Sequence, residues 1–112
     1  MKAISFDEAW KVLQCRAYNT ATRKGWHDDE KTDGEYIALM HSELSEALEA
    51  LRKDNPPSTK IPDFTSLEAE LADTVIRIMD YAEAKDLNVA GAILAKMEFN
   101  RSREHKHGGK KF

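Results

Sequence analysis

Four acidic residues of this sequence stand in two pairs with the same spacing. Glu43 and Glu46 form the first pair, and Glu70 and Asp73 form the second. Residues three apart in a helix point the same way, with their Cβ atoms about 5–6 Å apart. Each pair would therefore present two carboxylates from one helix face. If the two helices pack antiparallel, all four carboxylates converge on one place.

Converging carboxylates repel one another, so burying them is costly unless a cation compensates their charge. Mg²⁺ takes oxygen ligands at about 2.0–2.1 Å and keeps positions open for water and phosphate oxygens. No His or Cys stands at ligand spacing beside the four acids, which argues against zinc. The pattern predicts a Mg²⁺ site, with Mn²⁺ as an alternative ion. Because either pair alone is typical of a solvated helix face, that simpler interpretation stays open.

A cationic face on the last helix would suit a phosphate ligand. Lys96, Asn100 and Arg103 follow the i, i+4, i+7 spacing and so share one face of a helix. Two cations and an amide can hold phosphate oxygens, and Arg can do so in bidentate fashion. The sequence therefore predicts a polyanion-binding face here.

The charge distribution is divided along the chain, whose net charge is −3. Residues 1–95 carry 11 Lys/Arg against 18 Asp/Glu, whereas residues 96–112 carry six against two. The basic tail, residues 104–112, offers Lys106, His107 and Lys110 as phosphate contacts beside two glycines whose backbone N–H groups can approach an anion. An acidic body with a basic tail can bind nucleic acid or an acidic partner, or it can hold a small polyanion between metal ions and cations. The alternative for the tail is a solvated, disordered C-terminus.

A Lys-Gly-Trp element, residues 24–26, precedes the first acidic helix. Trp26 stands in a polar segment, where its ring can stack on a nucleobase. It can equally fill the edge of a core, and the sequence does not decide between the two. Lys24 beside it is a candidate substrate contact.

Four predicted helices account for nearly the whole chain. Ser5, Thr32 and Thr65 each precede a Glu by three residues, the spacing of a capping box, and Asn88 is a further N-cap. The helices are expected to end near Thr22, Lys53, Lys85 and Glu104, with a turn at Gly25. No segment shows the two-residue alternation of a half-buried strand. The fold class is therefore expected to be all-α, as a four-helix-bundle-type domain.

The two middle helices carry apolar residues on more than one face. In the second helix, one stripe holds only apolar residues, and another combines Leu39 and Ala50 with Glu43 and Glu46. Such helices are expected to be enclosed on several sides, as central members of a bundle. A chain of 112 residues forms a single domain, 1–112, with a modest core. A helical protein of this length often completes its core in an oligomer.

Compartment is indicated by what the sequence lacks. No apolar run approaches the roughly 20 residues that span a bilayer. The N-terminus shows no apolar region of a secretory signal. The single cysteine, Cys15, falls among apolar helix positions and is expected to be a reduced core residue. A cytoplasmic protein without a membrane partner is predicted.

Several segments together resemble the MazG-like all-α nucleoside triphosphate pyrophosphohydrolases of the short phage and bacterial type. The family pattern places E-x-x-E and E-x-x-D on two helices, and here 23 residues separate Glu46 from Glu70. The close of the chain resembles the family's K-x-x-x-N-x-x-R and K-H-G-G-K elements. The segments that carry the resemblance are KGW at 24–26, ALMHSELSEALEALR at 38–52, EAELAD at 68–73, KMEFNRSR at 96–103 and KHGGK at 106–110.

The resemblance implies hydrolysis of a (d)NTP between its α- and β-phosphates, giving a nucleoside monophosphate and pyrophosphate. It implies that the four carboxylates hold Mg²⁺. One of them would also handle the attacking water; the sequence does not decide which, and Glu46 is our hypothesis. Lys96, with Asn100 and Arg103, would bind the polyphosphate and offset charge in the transition state. A homodimer or homotetramer, in which helices of neighbouring chains complete the bundle and the site, is also implied.

Two alternatives to this activity remain at the sequence level. The related phosphoribosyl-ATP pyrophosphohydrolases and dimeric dUTPases share the acidic helices. A helical interaction module could instead bind nucleic acid or an acidic partner through its basic tail. Nothing in the sequence names a hydrogen-bonding group that would read a base, so a small nucleotide is expected as the ligand without a stated base or sugar.

Overall fold

The computed structural model describes residues 3–103. Within that range the chain forms four helices and no strand beyond an isolated bridge between Pro57 and Thr65. The all-α prediction is confirmed. Three predicted phosphate contacts of the tail, Lys106, His107 and Lys110, lie outside the described residues. The helices are α1 (Phe6–Arg23), α2 (Asp33–Arg52), α3 (Ser66–Lys85) and α4 (Val89–Arg101).

Each helix begins where a polar side chain satisfies backbone N–H groups that have no partner within the helix. Ser5 and Asn88 cap α1 and α4 in this way. Thr32 and Thr65 form complete capping boxes with Glu35 and Glu68 at the starts of α2 and α3. In each box the hydrogen bond from the Thr backbone, followed by that from its hydroxyl, lowers the pKa of the Glu carboxyl.

The helix ends agree with the sequence except at the last helix. Gly25 has a φ of 85°, as the predicted turn after α1 requires, and Asp86 ends α3 with a φ of 54°. The last helix ends at Arg101, before the expected Glu104. Ser102 caps it, since its hydroxyl donates to the carbonyl of Phe99, the kind of local bond by which Ser competes with a helix.

The central helix of the fold is α3, which packs against both α1 and α2, while α4 contacts α1. The second helix packs on α3 through the stripe that carries its acids, and Glu43 and Ala50 of this stripe are buried. Of its wholly apolar stripe, Ala47 is buried, whereas the four large residues that are 43–51% exposed point outward: Ile37, Leu44, Leu48 and Leu51. The expected enclosure of α2 on several sides therefore does not occur within one chain.

The core of the single chain is small and consists mainly of short side chains. Its buried apolar residues in the described range are Tyr36, Met79 and four alanines, and none of the large side chains there is fully buried. Cys15 is half-buried, so the prediction that it is a core residue is wrong. The radius of gyration is 16.6 Å, against about 13 Å for a compact domain of roughly 100 residues. In the described part of the chain, no helix has the length and apolar character needed to cross a membrane.

The capping box of α3 gives a test of this account of the helix starts. Thr65→Ala removes the side chain that accepts from the Glu68 N–H, and it should lower the free energy of unfolding by about 1 kcal/mol. Urea unfolding followed by circular dichroism measures the loss. Thr59→Ala, in the same loop and exposed, should change stability by less than about 0.5 kcal/mol. Equal effects of the two substitutions would contradict the role of the cap.

Candidate metal and phosphate site

Three of the four predicted carboxylates meet where α2 packs on α3. One oxygen from each of Glu43, Glu46 and Glu70 lies within 4.8 Å of the others. Glu43 is only 9% exposed, whereas Glu46 is exposed at the edge of the interface. The predicted convergence of the two acidic helices is therefore present for these three groups.

Asp73 lines the same cavity as the other three acids but does not belong to the group within 4.8 Å. Burial raises the pKa of Asp73, and the neighbouring Glu43 raises it further. Lys60 and Arg77 act on this pKa in the opposite direction. Asp73 therefore lies beside the cluster, close enough for the charge of Glu43 to act on its carboxyl group.

Bringing the acids together raises the pKa of Glu70. Burial, followed by its contact with Glu46, raises the pKa of Glu70 from its ordinary 4.5 to about 7. Its Oε2 atom is buried and has no hydrogen-bond partner within residues 3–103. A buried oxygen without a donor is rare and costly, so Oε2 is suited to a proton shared with Glu46 or to a bound cation.

Arg77 provides the opposite charge for the most buried acid. Its Nε donates to Oε1 of Glu43 at 3.1 Å. The guanidinium carbon of Arg77 also lies 5.8 Å from the centre of the Trp26 ring. Arg77 therefore contacts the acidic cluster and the loop between α1 and α2 at the same time.

The acidic cluster forms part of a cavity of about 1210 Å³ between α1, α2, α3 and the two loops that join them. Lys24 and Trp26, both predicted as substrate contacts, line it. Trp26 is 52% exposed, which favours a binding surface over the alternative of a core-edge residue. Three further cations that line the cavity were not predicted from the sequence: Arg16, Lys31 and Lys60.

A hydrogen-bonded cluster fixes the loop that carries Trp26. Nε2 of His27 lies 2.7 Å from Oδ1 of Asp80 on α3, and Nδ1 lies 3.2 Å from the hydroxyl of Tyr36 on α2. The ring of Tyr18 on α1 lies against the His27 ring, with centres 4.6 Å apart. His27 thus joins the loop to all three helices that form the cavity.

The predicted cationic face of α4 is present only in part, because α4 ends at Arg101 and Arg103 lies beyond it. The charged groups of Lys96 and Arg103 lie 5.1 and 5.3 Å from the centre of the Phe99 ring. Neither residue lines the cavity, and nor does Asn100. Within residues 3–103 of one chain, these three side chains are therefore not brought to the carboxylates.

The carboxylates that are present fit a hard divalent cation. The cluster offers only oxygen donors, the ligands that Mg²⁺ and Mn²⁺ prefer over sulfur. Oxygens around one Mg²⁺ are about 3–4 Å apart, so small side-chain rotations bring atoms within 4.8 Å to bonding positions. The unpartnered oxygen of Glu70 would gain a partner in this way. Exposed acidic groups of this kind are also common without an ion.

Comparison with known proteins adds no further assignment. No protein-family model, curated protein or solved structure gives a significant match to this chain.

The raised pKa of Glu70 predicts a pH-dependent stability. The folded chain binds this proton more tightly than the unfolded chain, so the contribution is complete below about pH 4.5 and is lost as the pH rises through about 7. In EDTA, the free energy of unfolding should therefore fall between about pH 5 and pH 8. Urea unfolding at several pH values should show a shallower fall for Glu70→Gln. Glu49→Gln, on the exposed face of α2, is the control and should keep the wild-type slope. Parallel curves for the wild type and Glu70→Gln would contradict the assignment.

Proposed function

We propose that this protein is a Mg²⁺-dependent nucleoside triphosphate pyrophosphohydrolase that cleaves (d)NTPs between the α- and β-phosphates. The observation that carries the proposal is the meeting of Glu43, Glu46 and Glu70 within 4.8 Å, in a cavity that also presents cations and an exposed Trp. The resemblance to MazG-like enzymes, described above, supports the same activity. Removal of unwanted nucleotides from the cytoplasmic pool is the role that this reaction would serve.

The acids of the chain would have two roles in the reaction, metal binding and activation of the water. Glu43, Glu46, Glu70 and Asp73 would hold Mg²⁺, which supplies polarisation of the phosphate oxygens and activation of the attacking water when bound. Glu46 is the exposed member of the cluster, so it is the carboxylate best placed to orient the water and accept its proton. The water oxygen bonds to phosphorus, the α–β anhydride bond breaks, and pyrophosphate leaves.

Substrate binding would use the cationic wall of the cavity and the Trp26 ring. Lys24 and Lys60 line the cavity with the acids and would bind phosphate oxygens. Trp26 would stack on the base, an interaction that every base accepts. The proposal therefore specifies a nucleotide polyphosphate and leaves the base open.

A second copy of the chain would complete the site. The exposed apolar stripe of α2 and the open shape of the subunit support a homodimer or homotetramer. In such an oligomer, α4 of a neighbouring copy would bring Lys96 and Asn100 to the polyphosphate, together with Arg103 just after the helix. Lys96 would then offset charge in the transition state across the subunit interface.

Pyrophosphate release from a panel of (d)NTPs with Mg²⁺ tests the proposed reaction. Glu43→Gln and Asp73→Asn should each lower the rate by at least about 100-fold, since even groups that merely hydrogen-bond to a metal ligand are worth about 10–100-fold. Glu49→Gln is the matched control, because Glu49 lies on α2 but pairs with Arg52 and Lys53 at the surface. It should retain wild-type activity.

The same panel separates the alternatives. Hydrolysis confined to dUTP or to phosphoribosyl-ATP would assign the chain to one of the related activities. An interaction module predicts no hydrolysis, loss of binding on deletion of residues 104–112, and no effect of the acidic substitutions. Full activity in Glu43→Gln and Asp73→Asn would contradict the metal assignment.

Mixing two inactive variants tests the contribution of α4 across subunits. Glu70→Gln damages the carboxylate half of a site, and Arg103→Ala damages the cationic half, which α4 and the residues just after it provide. If each site combines halves from two chains of a dimer, dissociation and equal mixing should restore about a quarter of wild-type activity, because random heterodimers contain one intact site.

Each variant mixed with itself is the control and should stay inactive. Sedimentation of the mixture establishes that oligomers have re-formed. Re-formed oligomers without activity would place both halves of the site in the same chain and overturn the shared site.

A further inference from the structure

Arg77 joins three segments of the chain at one guanidinium group. It belongs to α3, donates to Glu43 on α2 at 3.1 Å, and lies 5.8 Å from the centre of the Trp26 ring in the α1–α2 loop. Its side chain is 30% exposed, so one edge remains accessible from the cavity. Neither the resemblance nor the spacing of the acids assigns a role to this residue.

The contact with Arg77 restrains the Glu43 carboxylate and leaves its second oxygen available. Arg77 binds Oε1 of Glu43, and a carboxylate has about four lone-pair positions on its two oxygens. Oε2 is therefore free to bind a cation while Arg77 fixes the plane of the group. Hydrogen bonds of this kind orient metal ligands and contribute to metal affinity.

The guanidinium of Arg77 contacts both the Glu43 carboxylate and the Trp26 ring. Arg can stack on an aromatic ring while an edge N–H donates to a carboxylate, which the compact ammonium group of Lys cannot do. At 5.8 Å from the ring centre, the group is within the range of a cation–π interaction. One side chain thus links the orientation of the Glu43 carboxylate to that of the Trp26 ring.

The backbone next to Trp26 is held separately, so the ring is the part that can respond. His27 binds Asp80 on α3, one helical turn beyond Arg77. The ammonium group of Lys31 donates to the Trp26 carbonyl and lies 6.0 Å from the centre of the Trp26 ring, so two cations, Arg77 and Lys31, contact this ring. A change at Arg77 would therefore alter the environment of the Trp26 ring and leave the path of the loop in place.

We propose that Arg77 is a positioning residue that couples divalent-cation binding at Glu43 to stacking on Trp26. This inference rests on the proposed function and adds to it a link between metal and base. A cation bound to Oε2 of Glu43 fixes the position of that carboxylate and, through the hydrogen bond to Oε1, the position of the guanidinium relative to the Trp26 ring. By thermodynamic reciprocity, an aromatic base stacked on Trp26 changes the affinity of the metal site by the same factor as the metal changes stacking.

Trp26 fluorescence provides a test that does not depend on turnover. The chain has two Trp residues, so Trp10→Phe leaves Trp26 as the single emitter. Titration of this parent with Mg²⁺ should change the emission along the same saturation curve that calorimetry gives for Mg²⁺ binding. Adding Arg77→Lys should lower Mg²⁺ affinity by about tenfold and abolish most of the emission change at saturation.

The matched control is Arg52→Lys in the same Trp10→Phe parent. Arg52 also pairs with a Glu, but the pair is Glu49 at 3.7 Å on the exposed surface of α2. This variant should keep the parent's affinity and emission response. Arg77→Gln is the second variant in case Arg77→Lys does not fold, as judged by circular dichroism, and the same loss is expected of it.

The outcomes distinguish this inference from the proposed function. Mg²⁺ binding in the parent with unchanged Trp26 emission would overturn the coupling and leave the metal site intact. A folded Arg77 variant with the parent's affinity and response would also overturn it. An absence of Mg²⁺ binding in the parent would overturn both the coupling and the metal assignment.

Discussion

The packing of the acid-bearing stripe of α2 on α3 is the interaction on which the rest of the structure depends. It places Glu43, Glu46 and Glu70 together, although like charges at this distance repel strongly in a partly buried setting. Two features offset that repulsion within the chain. Arg77 pairs with Glu43, and the pKa of Glu70 rises to about 7, so Glu70 is largely uncharged below neutral pH. A fold that only needed stability would bury the apolar stripe of α2 at this interface, because apolar burial carries no such electrostatic cost.

The outward position of most of that apolar stripe follows from the same packing of α2 on α3. A helix that turns its acids toward α3 must turn Leu44, Leu48 and Leu51 away from it. Monomeric proteins rarely expose a contiguous apolar surface of this kind. The small alanine-rich core and the radius of gyration of 16.6 Å agree with a chain whose hydrophobic burial is incomplete. The packing that brings the acids together therefore also leaves apolar side chains of α2 exposed.

Sequence reasoning predicted the helices well because their signals are local. Thr32 and Thr65 with their Glu partners mark two helix starts to the residue, and Gly25 marks the turn after α1. Periodicity also identified the two stripes of α2, but it could not say which of them faces α3, since that depends on tertiary packing. The acidic pairs were predicted to contribute equally, whereas the helix geometry brings three acids within 4.8 Å and leaves Asp73 beside them.

The groups that sequence reasoning missed are those brought in by loops or by contacts between helices. Lys60 follows two prolines in the α2–α3 loop, with no periodicity to place its side chain near Asp73. Arg77 was visible as a neighbour of Glu70 and Asp73 on α3, but its contact with Trp26 requires the fold of the α1–α2 loop. For the same reason, the chain positions of Lys96 and Arg103 could not indicate that α4 packs on α1, away from the cavity.

The distribution of charge within the cavity explains why a metal ion and a polyphosphate would be bound together. Acids of α2 and α3 form an acidic wall of the cavity, which cations including Lys24 and Lys60 also line. A polyphosphate alone would be attracted by these cations and repelled by the acids. A divalent cation on the acidic wall would offset the charge of the acids and offer open coordination positions to phosphate oxygens. The base would lie toward Trp26, which Arg77 connects to the acidic wall.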